Sequence, residues 1–313
     1  VIGHRKFGAK NLSSELSMSK IYSKSHASND TVVAVIFLAP ALCLLTVFLF
    51  GPIVYLFYLS FTSGSFTLKG IHWVALGNYL RLFNNPDFLP IIGNTIYFTL
   101  GTVIPSLIIP LGLAVLLDKA LLGRGILRTI YFIPSVTSLV AVGLGFRWLF
   151  QNNGPVNGFL GLFHIDAIPW LSSTFWAMPV LILLSFWKQI GFNLVVFLAG
   201  LQTIPLSRYE AAELDGASPW QKFWYITLPG LKPTLIFAAV TTAIFTLRSF
   251  EQVYIITGGG PLNSTNILVY YIYNQAFAQF DFGYAAAAAT VLLILTFLLV
   301  YLWQTNSFGT DDE

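Results

Sequence analysis

Six long apolar runs set the plan of this chain, at about residues 32–61, 95–117, 127–150, 175–201, 231–257 and 282–303. A helix needs roughly 20 apolar residues to cross the hydrocarbon of a bilayer, and within it every backbone polar group must be satisfied internally. The pattern therefore predicts an all-α membrane protein of six transmembrane helices. The first run is no cleaved signal peptide: it is too long, begins some thirty residues in, and lacks a small-residue cleavage pattern. One interruption differs from the other connections. Residues 207–229 are rich in polar groups and read as two short helices with a hinge. Ser207 and Glu210 have the spacing of a capping box. Gly216 permits the backbone conformation that stops the first helix. Ser218, Pro219 and Gln221 then restart a helix as N-cap, first helical residue and reciprocal cap, and Pro229 ends it.

Composition agrees with the pattern. Hydrophobic residues make up 56% and charged residues 9% of the chain, where a soluble domain carries about 25% charged. The 28 Phe and 8 Trp suit a protein with aromatic interfaces to lipid. A net charge of +3 is too small and dispersed for a nucleic-acid partner. Cys43 is the only cysteine, so no disulfide framework or thiolate metal site exists, and His4, His26, His72 and His164 show no ligand spacing. Lys and Arg set the expected orientation. Eleven fall in the N-terminal tail, the 119–128 connection and the 208–232 connection, against Lys69, Arg81 and Arg147 on the opposite side. The positive-inside rule then places both termini and the 207–229 segment in the cytoplasm.

The order Glu210-Ala211-Ala212, Asp215-Gly216, nine further residues, then Ile226-Thr227-Leu228-Pro229 resembles the EAA loop of permease subunits in bacterial ABC importers. The stretch from Phe250-Glu251 through Tyr254 to Thr257-Gly258-Gly259-Gly260-Pro261 is similar to the C-terminal part of carbohydrate-uptake permeases, as are Tyr271, Tyr273 and Phe282-Gly283-Tyr284-Ala285-Ala286. That family more often has Asp in place of Glu251. The likeness is to the maltose and glycerol-phosphate types, without their large outer insertion. It implies a cytoplasmic tail at 1–30, a first transmembrane helix and outer loop at 31–93, an importer permease core at 94–303 and a cytoplasmic tail at 304–313. It also implies a multi-pass protein of the bacterial plasma (inner) membrane. Its expected partners are a homologous second permease, two ATPase subunits and an extracytoplasmic solute-binding protein. The chain holds no G-x-x-x-x-G-K-[ST] sequence, so it is not itself an ATPase. ATP and Mg are expected on the partner ATPase subunits, and no metal or other cofactor on this chain. Glu210, Ala211, Ala212, Asp215 and Gly216 are then the expected coupling residues, with Tyr209, Leu214 and Trp220 offering apolar contact.

Charged residues within spans are costly, about 2.5–3.5 kcal/mol at a helix centre on insertion scales, so each is a functional candidate. Lys188 lies near the middle of the fourth run, where it either lines a path or pairs with a partner's carboxylate. Arg248 and Glu251 stand three apart in the fifth run and are expected to form an intramembrane ion pair. Sugars are held by hydroxyl-bonding groups and aromatic faces. Ser135, Ser185, Trp187, Lys188, Gln189, Asn193, Thr242 and Thr246 are the candidates for such a pocket. The leading expectation is import of a sugar, glycoside or polyol, with a phosphorylated polyol such as glycerol phosphate as the alternative because Lys188 and Arg248 favour an anion. Two rivals come from other classes. An ion-coupled secondary transporter would show internal repeats, which are absent here. An intramembrane enzyme would need a catalytic constellation, and no H-E-x-x-H, paired Asp or Ser/His arrangement is present.

Overall fold

The computed structural model describes residues 33–63, 70–118 and 124–308. The expected N-terminal tail, Lys69, Lys119 and the acidic end Asp311-Asp312-Glu313 lie outside the described residues. Two compact units divide the chain, Val1–Tyr58 and Leu59–Glu313.

The described residues of the first unit form the body of one helix, α1 (Val33–Ser60), which is apolar on every side. Within it Thr46–Phe50 widens into a π turn closed by the Gly51 N–H on Thr46 O. Pro52 follows at once. A proline ring clashes with the carbonyl four residues earlier and brings no N–H, and a widened turn relieves both problems. The same arrangement recurs in the second unit, where the π turn Phe223–Thr227 precedes Pro229 and the Leu228 N–H bonds Phe223 O.

The second unit begins with a short antiparallel pair, β1 (Thr62–Ser63) and β2 (His72–Trp73), with Thr62 opposite Trp73. Helices α2 (Gly77–Phe83), α3 (Phe88–Asp118), α4 (Arg124–Val136), α5 (Leu139–Leu149) and α6 (Pro155–Gly161) follow. Next come α7 (Ala177–Leu201), α8 (Leu206–Leu214) and α9 (Pro219–Gly230), then α10 (Lys232–Leu247) and α11 (Glu251–Ile256). Finally α12 (Leu268–Tyr273), prolonged by the π turn Asn274–Ala278, leads to α13 (Phe282–Phe308).

Four of these helices, α1, α3, α7 and α13, are long and apolar enough to cross a bilayer unaided. The count reaches six if each of two bent pairs is one span. The third apolar run is thus no single rod: α4 and α5 meet at 94°. Pro134 and the extended backbone at Ser138 (ψ 125°) break the ladder there. The fifth run also departs from expectation. Its helix α10 meets α9 at 65° at Leu231, where the run begins, and stops at Leu247 rather than near Thr257.

Between helices in lipid, association rests on close packing and interhelical hydrogen bonds, because lipid tails are as apolar as leucine. Gly191 on α7 shows how close the packing is. A Cβ there would stand 2.5 Å from Tyr131 O and 2.7 Å from Phe132 Cα of α4. Core side chains gather in three clusters. One joins Leu111, Leu194, Phe197 and Leu231 at the α8–α9 end of the bundle. Another joins Phe98, Leu181, Leu184 and Val253 toward α11. The third, around Phe88, Tyr271 and Tyr284, ties α3 to α12 and α13.

Candidate functional site

The break in the fifth run opens a cavity of about 600 Å³ between α4, α7 and the α10–α11 junction. On α7 its wall is Ser185, Lys188, Gln189 and Phe192, and on α4 it is Phe132, Ser135 and Val136, with Leu139 from α5. Positions i, i+3, i+4 and i+7 share one helical face, so each set is a single stripe turned toward the opening. Thr246, Arg248, Ser249, Phe250, Glu251 and Gln252 complete the wall. Phe245 stands edge-on to Phe192, ring centres 6.2 Å apart.

Hydrogen bonds hold this wall in place. The Ser135 hydroxyl donates to Lys188 O at 2.9 Å, and the Lys188 ammonium donates to Thr137 O. These bonds cross where Gly191 lets α4 and α7 touch. The Gln252 amide donates to Ser185 Oγ at 3.2 Å, while Gln252 Oε1 is buried without a donor among the described residues. Arg248 and Glu251 do not form the expected ion pair. The helical i, i+3 geometry that would join them is lost because Arg248 closes α10 and Glu251 opens α11. Neither side chain has a hydrogen-bond or ion-pair partner among the described residues, and both face the cavity. Glu251 shares the cavity wall with Lys188.

Of the eight candidate pocket residues, Ser135, Ser185, Lys188, Gln189 and Thr246 therefore line one cavity. Three do not. Trp187 points off the α7 stripe and packs its ring against Phe146 at 5.8 Å. Asn193 and Thr242 are fully buried and satisfy each other. The Asn193 amide donates to Ser106 O of α3 at 2.6 Å and to Thr242 Oγ1 of α10 at 3.0 Å. They bind three helices together and leave nothing for a ligand. The aromatic walls Phe132, Phe192 and Phe250 went unmarked by the sequence reading, although Phe132 and Phe192 fall on the same stripes as Ser135 and Gln189.

At the α8–α9 hairpin, Glu210, Ala211, Asp215 and Gly216 are exposed and Ala212 is half-buried. Gly216 takes φ +74°, and the Ala217 N–H bonds Ala212 O at 2.9 Å to close the helix end. Ser218 and Gln221 form the expected capping box. Ser207 does not cap: α8 begins at Leu206, with Pro205 before it, so Ser207 is already inside the helix. Pro229 is followed by one more helical residue, because the π turn ahead of it absorbs its ring. Lys222 pairs with Glu213 at 2.6 Å. Tyr209 turns inward to Thr227, whereas Leu214 (90% exposed) and Trp220 (69%) stay open.

The glycine-rich loop after α11 is held by hydrogen bonds within it and from α3. The Thr265 hydroxyl donates to Gly260 O, and Asn94 reaches Asn263 O at 2.9 Å. Beside it, the Tyr271 and Tyr284 hydroxyls meet at 2.9 Å, and Arg81 joins Asp281 at 2.7 Å. Burial, reinforced by the Tyr284 bond, holds the Tyr271 phenol well above its usual range.

Comparison with known proteins gives a consistent picture. The family model described as binding-protein-dependent transport system inner membrane component matches residues 106–307. The sulfoquinovosyl glycerol transport system permease protein of Agrobacterium fabrum is 38% identical over 87% of this chain and 90% of its own. The lactose transport system permease protein of Rhizobium radiobacter is 37% identical, covering 85% of this chain and 91% of its own. An arabinooligosaccharides transport system permease protein of Bacillus subtilis is 36% identical over 87% of this chain and 88% of its own. A bacterial ABC transporter involved in import of the acidic polysaccharide alginate superposes with a TM-score of 0.79. It covers 93% of this chain and 100% of its own at 23% identity, a likeness that shows a shared fold.

Proposed function

This chain belongs to the binding-protein-dependent transport system inner membrane component family, and from that premise we propose that its cavity is half of the path by which an ABC importer takes up a sugar or glycoside. Permeases of this family are not themselves catalytic. The observation that carries the reading is the cavity at the break between α10 and α11. Near the midpoint of α7, it sets a hydroxyl and an amide (Ser135, Gln189) beside the faces of Phe132, Phe192 and Phe250. Few polar groups on largely apolar walls is the make-up of a site that binds polyhydroxylated molecules. The lactose and arabinooligosaccharide permeases among the relatives support the same class.

In this reading α1, α3, the bent α4–α5 pair, α7, α10 and α13 are the six spans, with both termini in the cytoplasm. A solute-binding protein delivers substrate from outside, and a homologous second permease closes the open side of the cavity. Two ATPase subunits carry ATP, Mg and hydrolysis. The α8–α9 hairpin is their docking point: Glu210 and Asp215 offer carboxylates to basic groups, the thin Ala211–Ala212 side fits a groove, and Leu214 and Trp220 supply apolar contact. Gly216 sets the elbow angle, and the capped ends let the hairpin pass rigid-body motion to α7 and α10.

The test is uptake into proteoliposomes holding the full assembly, with binding protein and radiolabelled lactose, arabinotriose or methyl glucuronide. Uptake of at least one sugar that requires ATP, and vanishes when the ATPase subunit is omitted, is expected. Uptake by the chain alone on an ion gradient would overturn the reading in favour of a secondary transporter.

A further inference from the structure

The cavity wall carries three charged side chains, Lys188, Arg248 and Glu251, and they are not paired off. Lys188 spends one of its three donors on Thr137 O. The Arg248 guanidinium and the Glu251 carboxylate have no partner among the described residues. Two cations against one carboxylate leave an excess positive charge on this face. Such a charge inside a membrane is expensive unless something answers it. A neutral sugar would not answer it. A sugar carrying one negative group would: the anion meets the Lys188 and Arg248 donors, while the ring stacks on Phe250 or Phe192 and its hydroxyls reach Glu251 and Gln189.

Resting on the reading of the cavity as a sugar path, we propose that this path is built for an anionic sugar or glycoside. Lys188 and Arg248 bind its acidic group, and Glu251 accepts from its hydroxyls while limiting the site to a single negative charge. Carboxylate, sulfonate and phosphate share the required chemistry, namely several oxygens over which one charge is spread, facing a forked guanidinium and an ammonium. Breakage of the α10 helix is what makes this possible. On an unbroken helix Arg248 and Glu251 would neutralise each other one turn apart. Here the non-helical Ser249–Phe250 link separates them and leaves both for the ligand.

The experiment is equilibrium binding to the assembled permease pair with its ATPase subunits in nanodiscs, without binding protein, so that only the path is read. The probes are radiolabelled methyl glucuronide, methyl glucoside 6-sulfate and neutral methyl glucoside. Both anionic probes should bind about tenfold or more tighter than methyl glucoside, the factor expected from one charge-assisted contact, and rising salt should erode the difference. Lys188→Gln and Arg248→Gln should each remove most of that preference. Arg248→Lys, which keeps the charge, should retain much of it, and Glu251→Gln should tighten the anionic probes. Methyl glucoside binding as well as the anionic probes, with both Gln variants indifferent, would overturn the proposal; it would mean that a carboxylate of the second permease answers these cations. The sugar-path reading would survive that result, and would fail only if sugar uptake itself did not respond to changes in the cavity.

Discussion

Two polar clusters on α7 and α10, about one helical turn apart, have opposite fates. At the junction, Asn193 and Thr242 are fully buried and spend their hydrogen bonds on each other and on Ser106 O. At the cavity, Lys188 and Gln189 of α7 and Thr246 at the end of α10 edge an opening, with Arg248 and Glu251 beyond them. The residue types are alike in polarity, and both clusters sit in apolar helices. What separates them is the neighbour each meets. A third helix, α3, closes over the junction and supplies a carbonyl. At the cavity α10 has already ended, and no described helix closes over it. A polar residue in a membrane helix is glue when protein satisfies its donors and acceptors, and a site when some are left over.

Four substitutions probe this contrast, in falling order of effect. Gly191→Val strikes the close α4–α7 contact that lies between the two clusters, since its side chain would run into the backbone of Tyr131 and Phe132. Overpacking usually costs about 1–3 kcal/mol, and meeting backbone puts this case at or above the top of that range. Size-exclusion profiles of the detergent-solubilised protein should show most of the folded peak lost. Lys188→Gln removes a cavity charge and should lower uptake of an anionic sugar about tenfold, the loss of one charge-assisted contact, with a melting temperature close to that of the parent. Asn193→Leu strips the junction of both its donated bonds and leaves Ser106 O unpaired. About 1–2 kcal/mol of stability should go, read as a lower melting temperature. Thr242→Val keeps the shape and removes only the hydroxyl. A loss near 0.6 kcal/mol, the average for such bonds between membrane helices, is expected in the same melt.

The parts that were legible in the sequence are those governed by local chemistry. Ser218, Pro219 and Gln221 carry a complete capping signal, and the structure contains that cap. Gly216 stands where a left-handed residue must stop a helix. Ser207 misled because α8 already begins at Leu206, with Pro205 as its N-cap, so the serine lies inside the helix. The break at Arg248 was not legible, because an apolar run without proline reads the same whether its helix is straight or broken. Taking the fifth run as one helix therefore produced an ion pair between Arg248 and Glu251 that the structure does not form. Helical periodicity alone could have set Trp187 apart, since it lies about 200° around α7 from Ser185. It could not have sorted Asn193 from Lys188, because that needs Ser106, a residue 87 positions away in the chain.

The most direct test is uptake per folded importer, with Lys188→Gln set beside Asn193→Leu in the same proteoliposome assay. Dividing initial uptake by the amount of folded complex removes the effect of stability. If the cavity is the path and the junction is glue, Lys188→Gln should fall about tenfold on this scale while Asn193→Leu stays within about twofold of the parent. Equal per-molecule losses in the two variants, or a larger loss for Asn193→Leu, would contradict the account.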